Sequence, residues 1–159
     1  MKHFKFCHFD GVPFALTLGE EDEALTDVRF ETWRPSGELS FDDTPLLSAA
    51  QRELEEYFVG ARRSFDLPIK MRGTDFEMRC FAAMAKIPYG VTISYGELAR
   101  AAGSPRACRA AGAACHKNPI AIIVPCHRII GANGSLTGFG GGLKTKKFLL
   151  DLEKRVCHS

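Results

Sequence analysis

Helix-start signals in the second half of the chain constrain its fold more than any other feature of the sequence. Two residue pairs have the spacing of a capping box, in which each side chain bonds the backbone N–H of the other: Thr74 with Glu77, and Ser94 with Glu97. Ser104-Pro105 adds a capping residue with proline at the first helical position. One predicted helix runs from Ser94 to Ala102, and the next begins at Ser104 after Gly103. Two short helices joined so tightly are typical of a helix-turn-helix.

The first half of the sequence combines short strands with one helix. Asp10-Gly11 is a hairpin signal between two apolar runs, Phe4 to Phe9 and Val12 to Leu18. The elements predicted after it are a strand over Leu25 to Trp33, a loop over Pro35 to Asp43, a helix from Thr44-Pro45 to Gly60, and a connector over Phe65 to Lys70. We therefore predict an α+β protein with a small α+β domain over residues 1–68 and a mainly helical domain over residues 69–159.

The predicted third helix ends at Asn118-Pro119. Ala121 to Val124 then has the apolar composition of a buried strand, and Gly131 to Gly142 is predicted to be a glycine-rich loop. The last predicted helix runs from Thr145 to Glu153, with apolar residues on one side: Phe148, Leu149 and Leu152.

Charge is divided unevenly along the chain. Residues 1–85 hold 10 Lys and Arg against 16 Asp and Glu, a balance of −6, whereas residues 86–159 hold 11 against 3, a balance of +8. The second half is therefore the half that can meet a polyanion such as nucleic acid. A solvated basic surface would explain the same counts.

The helix predicted after Ser104 has a thin surface, because Ala, Cys and Gly fill almost every position around its two arginines. Its basic face is predicted to hold Arg106, Arg109, Ala110, Ala113 and Lys117. Such a face can approach a DNA groove closely, with arginines on phosphates or between bases. The alternative is a tightly packed internal helix, but two arginines on one face are hard to bury unpaired.

Cys126 is the candidate nucleophile, in the run Pro125-Cys126-His127-Arg128. A cysteine attacks as the thiolate, so it needs a base or a positive charge nearby. His127 is the local base, and Glu153 can orient it in a triad-like arrangement. Because neighbours on an extended chain point to opposite sides, a direct contact of Cys126 with His127 requires a turn or a bridging water. A buried packing cysteine is the structural alternative.

The six cysteines lack the spacing of a disulfide framework, so we expect reduced thiols. Cys115-His116 and Cys126-His127 resemble two metal-ligand pairs, yet adjacent ligands fit a structural zinc site poorly. We predict no metal and no cofactor. No apolar run is long enough to span a bilayer and no export signal is visible, so the expected location is the cytoplasm, or the nucleus of a eukaryotic cell.

The run Pro125 to Gly131 closely resembles the O6-alkylguanine-DNA alkyltransferase (methylguanine methyltransferase) family. The resemblance extends over about Gly73 to Glu153 and includes further separated matches: Ile87-Pro88-Tyr89-Gly90, Ser94 to Ala99, Arg109-Ala110, Asn118-Pro119 and Gly141-Gly142-Leu143. It implies a ribonuclease H-like N-terminal domain and a winged helix-turn-helix-like C-terminal domain that carries the active-site cysteine. It also implies a monomer that acts once on alkylated guanine in double-stranded DNA, with O4-alkylthymine as a further candidate lesion.

The resemblance implies a role for each matching residue. Cys126 is similar to the alkyl acceptor, and His127 with Glu153 resembles the relay that draws off its proton through a water. Asn118 resembles the hinge residue whose side chain braces the turn between the recognition helix and the active-site strand. Arg109 resembles the arginine that enters the base stack from the minor groove. Tyr95 resembles the DNA contact that aids rotation of the nucleotide and lends a proton to the guanine ring.

The family resemblance also shows where the chain departs from its relatives. Some relatives carry a zinc site in the N-terminal domain, but His3, Cys7 and His8 do not reproduce its ligands. A substrate pocket is implied at Pro125, Phe139, Gly140 and Gly141. Many relatives have Tyr-Ser where this chain has Phe139-Gly140, so a serine hydroxyl near O6 is missing and the backbone N–H of Gly140 is a candidate substitute.

Other functions fit the sequence less well. Proteins that mark alkyl lesions without repairing them replace the acceptor cysteine, whereas Cys126 is present. A helix-turn-helix regulator would need no cysteine-histidine segment beside the helix, and a cysteine hydrolase would turn over repeatedly without retaining an alkyl group.

The less crowded loop at Phe139-Gly140 predicts tolerance of bulky alkyl groups. We expect single-turnover transfer from O6-benzylguanine to proceed at a rate comparable to that from O6-methylguanine, because no serine side chain narrows the pocket. Rapid-quench rates on the two lesions measure this, and strong rejection of benzyl would contradict it.

Overall fold

The computed structural model describes residues 1–30, 33–37, 39–136 and 139–159. The chain forms two compact units, Met1–Lys70 and Met71–Ser159, and the predicted boundary after residue 68 lies slightly earlier. Parts of three predicted elements lie outside the described residues: the strand Leu25 to Trp33, the loop Pro35 to Asp43 and the loop Gly131 to Gly142. No helix of the described segments is long and apolar enough to cross a membrane.

Within the described residues, the first unit contains a four-stranded sheet and one long helix. Its elements are β1 (Lys2–Cys7), β2 (Leu16–Glu21), β3 (Ala24–Phe30), β4 (Leu39–Phe41) and α1 (Pro45–Phe58). The strand order is β3-β2-β1-β4, with β1 antiparallel to β2, β2 antiparallel to β3, and β4 parallel to β1. The unit is therefore of the predicted α+β type.

Helix α1 begins and buries its residues as the sequence predicts. The Thr44 side chain accepts a hydrogen bond from the Leu47 N–H at 3.1 Å, and Pro45 occupies the first turn. Helical spacing then buries Leu54 and Tyr57. The connector after α1 adds to the sheet edge, because the Leu25 N–H donates to the carbonyl of Pro68 at 2.8 Å.

Two predictions for the first unit need correction. Strands β1 and β2 do pair, but their connection runs from His8 to Ala15, so Asp10-Gly11 is not a two-residue hairpin turn. The physical reason is that Phe9 and Phe14 pack on Phe58, with ring centroids 5.0 and 5.9 Å away, and do not continue the strands. The stretch predicted as a loop over Pro35 to Asp43 contains β4, whose backbone pairs with β1.

The second unit is mainly helical. Its elements are α2 (Asp75–Ala85), β5 (Ile93–Ser94), α3 (Tyr95–Ala101), α4 (Cys108–Lys117), a 3₁₀ turn (Cys126–Arg128), β6 (Ile129–Ile130) and α5 (Leu143–Cys157). Strands β5 and β6 are parallel, with Ile93 opposite Ile129. Both predicted capping boxes are present, at the starts of α2 and α3. Helices α3 and α4 are the predicted helix-turn-helix pair.

The start of α4 differs from the prediction. Ser104-Pro105 forms a turn closed by the Ala107 N–H donating to the Ser104 carbonyl at 2.9 Å, and the helix begins at Cys108 without a side-chain cap. Gly103 has a φ of 84°, which reverses the chain directly after α3. The reversal and the turn use up the residues predicted as the first helical turn. Arg106 therefore precedes the helix that carries Arg109.

The segment Ala121 to Val124 is also not the predicted strand. It is buried, but Ile122 has a φ of 71°, and the Val124 N–H donates to the Ile120 carbonyl at 3.0 Å. A β-branched residue with positive φ is uncommon and costs free energy, so the surrounding contacts must hold it. The apolar run therefore forms a compact turn, which sets the position of the residues after it.

The packing of β2 on β1 predicts a destabilising substitution. A Cβ at Gly19 would lie 2.6 Å from Cε1 of the buried Phe4 ring and 3.0 Å from Oδ2 of Asp27. Gly19→Ala should therefore lower the free energy of unfolding by about 1–3 kcal/mol. Urea denaturation measures this. Gly96→Ala is the control, because a Cβ there meets only Ser94 Oγ at 3.8 Å; equal stability of the two variants would contradict the steric argument.

Candidate functional site

Cys126 opens the 3₁₀ turn that follows Pro125. The Arg128 N–H donates to the Pro125 carbonyl at 3.0 Å, and the Cys126 N–H donates to the Val124 carbonyl at 2.9 Å. The turn replaces the extended chain on which neighbours would point to opposite sides. Cys126 is buried, with 6% of the residue exposed.

Burial and two neighbouring side chains act on the pKa of the Cys126 thiol. Burial raises its pKa, while a hydrogen bond with the Asn118 side chain and the positive charge of Lys146 lower it. The desolvation effect is the largest, so the resting group is a neutral thiol. The sulfur thus becomes a strong nucleophile only when a base takes its proton.

Asn118 braces the turn that leads to Cys126. Its Nδ2 donates to the carbonyl of Val124 at 2.8 Å, and its Oδ1 accepts from the N–H of Ile120 at 3.0 Å. Asn118 is also the C-terminal cap of α4. One buried amide therefore joins the end of the predicted DNA-binding helix to the segment that carries the sulfur.

His127 and Glu153 are brought together, as the sequence predicts. His127 Nε2 lies 2.7 Å from Glu153 Oε2, and both side chains are fully buried. Arg128 completes the cluster: its Nε and Nη2 donate to the two oxygens of Glu153, each at 2.9 Å. The hydrogen bonds from His127 and Arg128 hold the pKa of Glu153 far below its usual range despite burial.

Lys146 adjoins the site and was not predicted from the sequence. This lysine of α5 is fully buried, its Nζ donates to the carbonyl of Ile129, and it lies 5.9 Å from the Tyr95 ring centroid and 6.0 Å from that of Phe139. Burial lowers its pKa, and Cys126 raises it. The available signal was helical spacing, because Lys146 lies three and seven residues before the buried Leu149 and Glu153.

Helix α4 presents the predicted small, exposed face. Arg109, Ala110 and Ala113 are exposed, whereas Ala111, Ala114 and Cys115 are buried. Tyr95 lies beside this helix, since a Cβ on Gly112 would be 3.7 Å from its ring. Cys108, the first residue of α4, is also exposed.

Two of the residues predicted to contact DNA differ from the prediction in their position or in their contacts. Arg106 is exposed but lies in the turn before α4, so it does not share the helical face of Arg109. Lys117 is exposed at the end of α4, with Nζ 3.1 Å from Oε2 of Glu77. Lys117 therefore has an acidic partner, whereas no such ion pair is present for Arg106 among the described residues.

The four residues of the implied substrate pocket differ in exposure. Pro125 is buried, Phe139 and Gly141 are half-buried, and Gly140 is exposed. A Cβ on Gly140 would meet nothing within 4 Å. Among the described residues, no group of three or more His, Cys, Asp or Glu side chains is placed to hold a metal ion.

Comparison with known proteins identifies the family. Residues 75–155 match the model of the 6-O-methylguanine DNA methyltransferase DNA-binding domain, and residues 15–71 match that of its ribonuclease-like domain. The methylated-DNA–protein-cysteine methyltransferase of Mycobacterium tuberculosis is 49% identical over 141 residues, which cover 87% of this chain and 86% of that protein. The chain belongs to the O6-alkylguanine-DNA alkyltransferase family. It is a DNA-repair methyltransferase that transfers an alkyl group to a cysteine.

Other relatives agree with membership of the alkyltransferase family. The constitutive methylated-DNA–protein-cysteine methyltransferase of Bacillus subtilis is 40% identical over 146 residues, which cover 87% of this chain and 88% of that protein. A crystal structure of M. tuberculosis OGT in complex with DNA superposes with a TM-score of 0.90 at 44% identity, covering 97% of this chain and 94% of that chain. The predicted alkyltransferase fold, with a ribonuclease-like and a helical DNA-binding domain, is confirmed.

The buried charge of Glu153 predicts a pH-dependent contribution to stability. Its pKa is lower in the folded chain than the unfolded value near 4.3, so the carboxylate stabilises the fold above that pH, and the stabilisation is lost as the pH falls below it. Glu153→Gln should cost about 3–5 kcal/mol at pH 7, because it leaves Arg128 without its partner.

The difference in the free energy of unfolding between Glu153→Gln and the wild type should narrow as the pH falls below about 4. Urea unfolding at several pH values measures it. Asp151→Asn is the matched control, because Asp151 is an exposed acid on the same helix and pairs only with Lys147 at 2.7 Å in the described contacts. A difference that is constant from pH 7 to pH 3 would contradict the prediction.

Proposed function

We propose that Cys126 takes the alkyl group from O6-alkylguanine in DNA and keeps it, with O4-alkylthymine as a further candidate lesion. The observation that carries the proposal is the buried relay His127–Glu153: His127 follows Cys126 in one tight turn, and Asn118 joins the segment before that turn to the end of α4. A packing cysteine would need neither a buried imidazole nor a buried carboxylate, and isolated buried ions are costly.

Helix α4 is the proposed contact to the minor groove of double-stranded DNA. Arg109 is exposed on it, and Ala110 and Ala113 on the same face let the backbone approach the groove walls. Arg106 would reach a phosphate from the turn before the helix. Lys117 would contribute less than its charge suggests, because Glu77 competes for it. A monomer is the proposed binding form.

The alkyl carbon lies inside the stacked duplex, so the nucleotide must rotate out before transfer. Extrusion of a base costs a few kcal/mol, which protein contacts must offset. In the proposed complex Arg109 fills the space that the nucleotide leaves. Tyr95, beside α4 and next to Lys146, supports the rotated base.

The proposed reaction is an in-line displacement. Nδ1 of His127 takes the thiol proton, the sulfur electron pair forms a bond to the alkyl carbon, and the C–O6 bond breaks with its electrons passing to guanine. Tyr95 donates its hydroxyl proton to the ring, and the proton held by His127 returns to Tyr95 through solvent. The product is a thioether, which water does not readily cleave, so each molecule acts once.

The pocket residues position the reacting atoms in the proposed reaction. Pro125 fixes the chain before the sulfur, and holding the reacting atoms near 3–3.5 Å supplies much of the rate acceleration. Phe139, Gly140 and Gly141 would border the everted base, with the Gly140 N–H as a donor to the departing oxygen. The cytoplasmic location remains a prediction.

Intact-mass measurement after incubation with DNA containing O6-methylguanine tests the reaction. We expect the gain of one methyl group, located on Cys126 by peptide mapping. Cys126→Ala should abolish the gain while retaining DNA affinity, whereas Arg109→Ala should slow transfer by roughly tenfold or more, because it removes support for a flipping step that costs a few kcal/mol.

Cys157→Ser is the control for these variants, because Cys157 is an exposed thiol at the end of α5. It should gain the methyl group as the wild type does. Methyl transfer to another cysteine, or equal loss of DNA affinity in Cys126→Ala and Arg109→Ala, would contradict the proposed roles.

A further inference from the structure

Arg128 is a buried guanidinium with a partner for each of its three nitrogens. Nε and Nη2 donate to Glu153, each at 2.9 Å, and Nη1 donates to the carbonyl of Ile87 at 2.7 Å. The guanidinium carbon also lies 5.5 Å from the Tyr89 ring centroid. This bidentate geometry holds the carboxylate in one orientation, which the point charge of a lysine could not do.

The oxygens of Glu153 leave one proton arrangement for His127. Oε1 accepts from Arg128 Nε and from the Gly90 N–H at 3.0 Å, and Oε2 accepts from Arg128 Nη2 and faces His127 Nε2 at 2.7 Å. A carboxylate bound in this way stays ionised, so the imidazole nitrogen that faces it must carry the proton. Nδ1 then carries the lone pair, and it has no hydrogen-bond partner within the described residues.

The charges that act on His127 come from two elements of the second unit. Glu153 and Lys146 belong to α5, and Arg128 follows His127 in the 3₁₀ turn. Burial, Arg128 and Lys146 lower the pKa of His127, while Glu153 raises it. The imidazole is therefore neutral at rest and gains a proton only from a donor close to Nδ1.

We propose that Arg128 is a positioning residue of the alkyl transfer, which fixes Glu153 so that His127 stays the neutral Nε2–H tautomer and its Nδ1 takes the thiol proton. The relay ends at His127, because a carboxylate held by Arg128 and the Gly90 N–H does not accept the proton in turn. This inference rests on the proposed function. It adds the direction in which the thiol proton moves and the residue that sets the pH range of the transfer.

The pH profile of single-turnover methyl transfer tests the role of Arg128. Transfer requires a neutral His127, so the acid limb of the profile, where His127 becomes protonated, reports the pKa of His127. Arg128→Gln removes a neighbouring positive charge, and we expect the acid limb to move to higher pH by about one unit. Arg128→Lys keeps the charge without the bidentate bonds, so its acid limb should stay near that of the wild type while its plateau rate falls.

A structural role alone would lower the rate of Arg128→Gln by one factor at every pH, with the acid limb unmoved, and that result would overturn the proposal. If Arg128→Gln does not fold, the protonation of the His127 imidazole in the wild type provides the test. Its ¹⁵N spectrum at pH 7 should show a proton on Nε2 and none on Nδ1 of His127, and a proton on Nδ1 would overturn the proposal. Failure of the proposed function is distinct, because the wild type would then gain no methyl group on Cys126.

Discussion

The second unit depends on one buried carboxylate. Glu153 holds together α5, the 3₁₀ turn and the turn at Gly90, because its two oxygens accept from His127, Arg128 and a backbone N–H. An unpaired carboxylate at this depth would cost several kcal/mol, whereas a fully bonded one fixes its neighbours in direction as well as distance. The same bonds that make the charge tolerable also orient the imidazole, so fold and site share one set of contacts.

The buried position of the Cys126 thiol protects it from oxidation and still allows a neighbouring base to ionise it. Burial raises the pKa of Cys126, so the free protein does not expose a thiolate to solvent, where oxidants attack ionised and accessible thiols first. Asn118 and Lys146 act in the opposite direction and keep the cost of ionisation within reach of a neighbouring base. Lys146 is tolerated inside the unit because its Nζ donates a hydrogen bond to the Ile129 carbonyl and two aromatic rings adjoin it.

How far the sequence predicts the structure depends on whether the signal is local. The capping boxes at Thr74 and Ser94 are correct because a side chain and a backbone N–H three residues apart decide them. Ser104-Pro105 has a similar local signal, yet the reversal at Gly103 takes priority and delays α4. Local preference is a weak guide wherever packing across elements opposes it.

Two further errors, both in the second unit, have a common origin in buried polar atoms. The run Ala121 to Val124 is apolar enough for a strand, but the Asn118 amide satisfies the backbone groups on either side of it, so a compact turn needs no neighbouring strand. Lys146 was overlooked because lysines are rarely buried without a partner. Its partner is a backbone carbonyl, and a sequence does not show where a carbonyl will point.

In the proposed complex, the link between DNA contact and chemistry is short because Asn118 contacts both the helix and the active-site segment. It ends α4, whose exposed face carries Arg109, and its amide bonds the turn that leads to Cys126. A shift of α4 in a groove would therefore be felt at Val124 and at the sulfur through a single rigid side chain, with no long chain of intermediates. The small residues of α4 also keep this distance short. Ala111 and Ala114 let the helix pack closely on its own unit, and Ala110 and Ala113 leave no large side chains on its exposed face. In the proposed complex, a bulkier helix would hold the DNA groove farther from Cys126, and the everted base would not reach the sulfur.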